Sequence, residues 1–162
     1  MNSESANSIN PQSIKIGICG FGTVGGGSYN LLQNAGDEIS RRVGCSIDVV
    51  RIASRSLKLE DIDTTASISN DPFDVVNDPD VDIVIETIGG FDPAFEVVHQ
   101  ALANGKHVVT ANKALIAERG NELFAVAEEN SVTLAFESSV AGGIPIIKAL
   151  REGLAANKID WL

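Results

Sequence analysis

Ile14-Lys15-Ile16-Gly17-Ile18-Cys19-Gly20-Phe21-Gly22-Thr23-Val24-Gly25 is an apolar strand that runs into Gly-x-Gly-x-x-Gly and on into a helical pattern carrying Tyr29, Leu31 and Leu32. This order of elements reads as a nucleotide-phosphate site. Gly20 permits the tight bend, Gly22 lets the backbone approach a pyrophosphate with no Cβ in the way, and Gly25 lets the helix pack on the strand. The helix start then offers unpaired N–H groups and the positive end of its dipole to an anion. Glycines also collect in ordinary turns; the strand before and the helix after favour the phosphate site.

Outward from this stretch the chain alternates. The first helix fades near Asn34-Ala35-Gly36, and an amphipathic piece with Ile39 and Val43 leads to a second strand, Ile47–Ala53. A polar stretch follows from Ser54 to Asn70, then a short helix at Pro72–Val76 with Asp71 as N-cap and Pro72 in its first position. Asp82–Thr87, continuously apolar at its centre, reads as a strand buried on both faces. A helix from about Pro93 to Asn104 stops at Gly105, and His107–Thr110 is the next strand. A helix with Leu123, Phe124 and Val126 leads to a strand at Val132–Phe136, after which Gly142-Gly143 turns into a helix with Pro145 near its start. Strand and helix in this alternation predict an α/β fold, a doubly wound parallel sheet of the Rossmann type, over residues 13–157. Residues 1–12 read as a disordered lead-in, and the apolar run at 158–162 as the start of a further domain.

The 162 residues, 44% apolar, suffice for one domain with a sizeable core but are short for a two-domain enzyme. A formal charge of −10 argues against nucleic acid or anionic lipid as partner, so any phosphate must be held by a small positive island. The polar N-terminus does not look like a secretory signal, and no apolar run is long enough to span a bilayer. Cys19 and Cys45 have neither metal spacing nor a disulfide framework; both suit core filling in a reducing cytoplasm.

Ligands of an open parallel sheet bind beyond the carboxyl ends of its strands, and four further features fall there. At Ala53-Ser54-Arg55-Ser56, where an acid would bind the ribose of NAD, Arg55 offers a planar cation to the 2′-phosphate of NADP, with Lys58 nearby. The Glu86-Thr87-Ile88-Gly89-Gly90 turn would pass the nicotinamide ribose. Lys113 follows a buried strand and would point into the crevice to meet substrate or cofactor. The loop Glu137–Pro145 combines small residues, accessible carbonyls and one carboxylate, a set suited to a weak hard-cation site. Each has a plainer reading, as solvated side chain or tight loop. His99 and His107 lack a recognisable partner and read as structural or surface residues.

Three motifs, Gly20-Phe21-Gly22-Thr23-Val24-Gly25, Val109-Thr110-Ala111-Asn112-Lys113-Ala114-Leu115 and Glu137–Ile147, together resemble the nucleotide-binding half of homoserine dehydrogenase. The resemblance covers nearly all of the chain after Ser13, and the second and third motifs are its specific part. It implies NADPH-dependent reduction of aspartate 4-semialdehyde to homoserine on the route to threonine and methionine. It also implies cofactor contacts at Phe21, Thr23, Val24, Arg55, Thr87 and Lys113, with Lys113 close to the reacting centre. Sodium, the monovalent cation usual in the family, would sit at Glu137, Val140, Gly142 and Ile144; Ser138 stands where alanine is common. The family's substrate domain, with an acid and a second lysine, would follow Leu162, and with no aspartate-kinase domain ahead of the motif the resemblance is to the single-function form. By resemblance the whole enzyme is a homo-oligomer, and these residues alone are inactive. Two rivals remain: another dehydrogenase of amino-acid biosynthesis, and a dinucleotide-sensing module without catalysis. Coding sequence beyond Leu162 would separate the enzymes from the sensor.

Overall fold

The computed structural model describes residues 13–156. The lead-in at 1–12 and the run at 158–162 lie outside the described residues. Six strands, β1 (Ile14–Cys19), β2 (Ile47–Ala53), β3 (Ser67–Ser69), β4 (Ile83–Glu86), β5 (His107–Thr110) and β6 (Leu134–Ala135), form one parallel sheet in the order β3-β2-β1-β4-β5-β6. The order reverses between β2-β1 and β4, so β1 lies where crossovers leave in both directions and a crevice opens at the carboxyl edge.

Crossover segments cover the two faces. On one, Ile16, Ile18, Val49, Ile52 and Ala66 pack with Tyr29 of α1 (Thr23–Asn34). On the other, Val84 and Val108 pack with α3 (Phe73–Val76), α4 (Ala94–Ala103) and α5 (Lys113–Glu129) through Val75, Val97, Leu102, Leu115 and Leu123. Helix α1 carries three consecutive glycines, each costing about 1 kcal/mol against alanine. Tertiary packing offsets that: Tyr29 is buried, its ring meets Phe21 edge-on at 5.5 Å, and its hydroxyl donates to the Asp63 carbonyl at 3.1 Å. In α2 (Gly36–Val43) Asp37 and Glu38 open the helix and Arg41 and Arg42 close it, complementing the dipole, and left-handed Gly44 ends it.

Most element boundaries match the sequence expectation. Asp71 accepts from the Phe73 N–H at 2.9 Å, but α3 starts one residue later than expected, with Pro72 in the cap position, and Gly105 (φ 75°) ends α4. The polar stretch at 54–70 departs from it, holding a 3-10 turn at Leu59–Asp61 and the edge strand β3. Three residues are too few for a readable alternation; β3 exists because Arg51–Ala53 of β2 offer it a partner. Likewise β6 is two residues rather than five. The helix expected after Gly142-Gly143 is a single turn, α6 (Ile146–Lys148), which widens into a π turn over Ala149–Gly153.

Candidate functional site

At the carboxyl edge, Cys19 pairs with Ala53 on one side and Glu86 on the other, and Glu86 pairs with Thr110, so four strand ends lie in a row. A cleft of about 330 Å³ opens above them, walled by the glycine turn, by Ser54, Arg55 and Ser56 after β2, and by Thr87, Ile88 and Gly89 after β4. Asn70, Pro72, Asp92 and Pro93 complete the lining. The sequence marks Pro72 and Pro93 only as helix starts; that these four line the crevice follows from the packing of the loops after β3 and β4.

The glycines of the turn differ in what constrains them. Gly20 has φ 95°, and a Cβ there would lie 2.6 Å from the Thr87 carbonyl oxygen. A Cβ on Gly25 would lie 2.0 Å from the Gly20 carbonyl oxygen. Both are fixed by the protein itself. Around Gly22 nothing stands within 4 Å of a Cβ, so the space above it is open to a ligand. Thr87 ties the two walls: its hydroxyl donates to the Gly20 carbonyl at 2.8 Å and its N–H to the Cys19 carbonyl at 2.8 Å. Thr23 and Val24 stand exposed in the first turn of α1, beside the open space.

Arg55 is exposed and is the basic side chain among the residues lining the cleft. The Ser54 hydroxyl oxygen accepts from the N–H groups of Leu57 (3.2 Å) and Ser56 (3.4 Å), shaping the loop that carries Arg55. Lys58 turns to Glu60 at 3.6 Å and does not line the cleft.

Lys113 is the first residue of α5, placed by Asn112, whose side chain accepts from the Leu115 N–H at 3.2 Å. It is exposed and does not line the cleft, although it leaves the same sheet edge. Glu137 uses both carboxylate oxygens to accept from the N–H groups of Ile147 and Lys148, each at 3.0 Å, and so caps α6. Val140, Gly142 and Ile144 follow in a loop whose Ala141 (φ 52°) and Gly142 (φ 61°) are left-handed. Among the described residues no three His, Cys, Asp or Glu side chains group as a metal site. His107 accepts from the Thr133 N–H at 3.0 Å through Nδ1, a structural role. Cys19 and Cys45 are free thiols. Burial, with the charge of Glu86 second, pushes the Cys19 thiol far above its ordinary value, which makes it inert core.

A polar network lies behind the cleft, built from residues far apart along the chain. Glu86, Thr110, Asn112 and Ser139 are all buried, and the Ser139 hydroxyl donates to the Thr110 carbonyl at 2.8 Å. A charged residue ending an otherwise apolar strand was the available signal.

A family model described as homoserine dehydrogenase, NAD binding domain, matches residues 20–137. The homoserine dehydrogenase of Pseudomonas aeruginosa is 57% identical over 150 residues, which are 92% of this chain and 34% of that protein. A crystal structure of the Thiobacillus denitrificans homoserine dehydrogenase superposes with a TM-score of 0.86 at 56% identity, covering 93% of this chain and 35% of that one. A hyperthermophilic archaeal homoserine dehydrogenase in complex with NADPH superposes at 0.74 with 32% identity, covering 90% and 50% respectively. The chain thus spans about a third of the length of the curated relatives it matches.

Proposed function

Since this chain belongs to the homoserine dehydrogenase family through that family's NAD-binding domain, we propose that it binds and orients NADP(H) for interconversion of aspartate 4-semialdehyde and homoserine. The observation that carries the cofactor preference is Arg55 on the cleft wall after β2, where Ala53–Ser56 include no acid. A guanidinium there matches a 2′-phosphate, whereas a ribose hydroxyl would call for a carboxylate. The open space over Gly22 and the start of α1 fit a pyrophosphate. An NADPH complex of a relative with the same fold supports the same choice.

The cofactor would supply a hydride to the aldehyde carbon. The residues of this chain do the rest: the glycine turn, with Phe21, Thr23 and Val24, holds the diphosphate end, Arg55 holds the adenosine end, and the Thr87–Gly89 wall holds the nicotinamide end. Lys113, carried to the same edge by α5, orients the substrate carbonyl once a substrate-binding domain supplies the other face. The loop at Glu137, Val140, Gly142 and Ile144 takes a monovalent cation, sodium, through backbone oxygens. Turnover of the whole enzyme that ignores exchange of sodium for a bulky organic cation would remove that part. The setting is the cytoplasm, in keeping with two free thiols, and the whole enzyme serves threonine and methionine synthesis as a homo-oligomer.

Fluorescence titration of the chain with NADPH and NADH tests the reading. NADPH should bind the more tightly; equal affinities would overturn the NADP preference, and binding of neither would overturn the dinucleotide site.

A further inference from the structure

Behind the β4 wall of the cleft lies a carboxylate with no role in the scheme above. Glu86 is the last residue of β4 and is fully buried. Three donors converge on it: Oε1 accepts from the N–H groups of Ile88 (2.8 Å) and Gly89 (3.4 Å), and Oε2 from the Thr110 hydroxyl (2.5 Å). No ion pair to Glu86 exists among the described residues, so hydrogen bonds alone hold the charge.

The same bonds tie two loops together. Ile88 and Gly89 line the cleft, and Gly89 and Gly90 are both left-handed (φ 76° and 72°). Thr110, bonded to Glu86, accepts from the Asn112 N–H at 3.0 Å; the Asn112 amide returns to the Gly90 carbonyl at 2.6 Å and also caps the helix that Lys113 begins. The closed circuit Glu86–Thr110–Asn112–Gly90 therefore sets the cleft wall and the first turn of α5 in one relation. An isolated buried charge is an expensive way to fasten two loops, since a neutral amide avoids much of the desolvation cost. Its position is at the ligand edge of the sheet. The charge also acts on its surroundings, helping to raise the Cys19 thiol on the neighbouring strand.

We propose that Glu86 is a positioning residue of the dinucleotide site, fixing the nicotinamide-end wall relative to Lys113 and, by its negative charge, favouring the cationic oxidised nicotinamide over the neutral reduced one. The inference rests on the dinucleotide reading above.

The test is the ratio of NADP⁺ to NADPH affinity, measured by calorimetry on the chain and on Glu86→Gln, with circular dichroism and thermal melting to confirm the fold. Glutamine keeps the size of the side chain and an acceptor for the two N–H groups while removing the charge. Were the nicotinamide ring about 10 Å from this carboxylate, a unit charge at an effective dielectric near 20 would make the loss for NADP⁺ roughly tenfold, with NADPH changed far less. Glu86→Asp should keep the wild-type ratio even where both affinities drop. Should Glu86→Gln not fold, Thr110→Val removes at constant shape both the donor to Glu86 and the acceptor of the Asn112 N–H, and should weaken both forms together, by about tenfold for two hydrogen bonds. Equal loss of both forms in Glu86→Gln would reduce Glu86 to scaffolding and overturn the proposal, as would unchanged binding in Thr110→Val or a collapsed ratio in Glu86→Asp. A wild-type chain that binds neither form overturns the dinucleotide reading and this inference with it, a result distinct from any variant failure.

Discussion

Arg55 and Gly22 line one cleft and answer to different physics. Arg55 acts by charge. Replacing it with aspartate sets a carboxylate against the 2′-phosphate, so Arg55→Asp should weaken NADPH by tenfold or more, about 1.4 kcal/mol, and NADH much less. Parallel titrations check this, and equal losses would contradict it. Gly22 acts by absence. Since a Cβ there meets no protein atom within 4 Å, Gly22→Val should leave the circular dichroism of the domain intact while abolishing dinucleotide binding. Retained affinity would show that the turn is structural only. At this scale the sequence is legible where a residue type has one physical use, as in the glycine spacing. It is silent where the use depends on a partner far along the chain: Glu86 and Thr110 are 24 residues apart, and Thr87 and Gly20 are 67.

Elements long enough to bury a face were readable, because apolar runs such as Ile83–Ile85 and the left-handed glycine after α4 have few alternative meanings. Short elements were not, since β3 and β6 owe their form to a neighbouring strand rather than to their own residues. The amino-terminal edge of the sheet adds a polar staple between elements. Lys106, just before β5, donates to the Asp78 carbonyl at 2.5 Å and the Val81 carbonyl at 2.8 Å, while the Asp78 carboxylate accepts from Arg51 of β2 and from the Asp80 N–H at 2.9 Å. The Asp80 N–H, with Arg51 and Lys106 adding to it against the cost of burial, holds the Asp78 carboxyl below its ordinary value. A depressed carboxyl contributes stability that is present above the unfolded value, about 3.9, and is lost as pH falls through the lower folded value. Asp78→Asn should therefore cost about 1 kcal/mol in urea melts at pH 7, a figure discounted for the 37% exposure of the Arg51 side chain. The difference should shrink as the pH falls below about 4 and vanish once the folded carboxyl is protonated. A gap independent of pH would mean that Asp78 acts by shape alone.

At the scale of the molecule, a cofactor cleft and a lysine share one edge, and the chain spans about a third of its relatives' length. Residues 1–162 should bind NADPH without reducing aspartate semialdehyde. In a protein that joins this chain to a substrate domain, Lys113→Ala should lower kcat and kcat/KM together by about a hundredfold, the loss expected for an oriented group used mainly in the transition state, with little change in melting temperature. Steady-state kinetics decide it, and turnover indifferent to Lys113 would exclude that role. The sheet has a further consequence, for behaviour in concentrated solution. Its longest strands are central, while its edges, β3 and β6, offer three and two residues of unpaired backbone, too little to template the addition of another strand. With ten net negative charges dispersing the molecules, light scattering of concentrated samples at neutral pH should show no growth of fibrillar or amorphous particles over days, and thioflavin fluorescence should stay flat. Turbidity should set in only as acidification neutralises the carboxylates, when the barrier is no longer electrostatic and only the bluntness of the two edges remains.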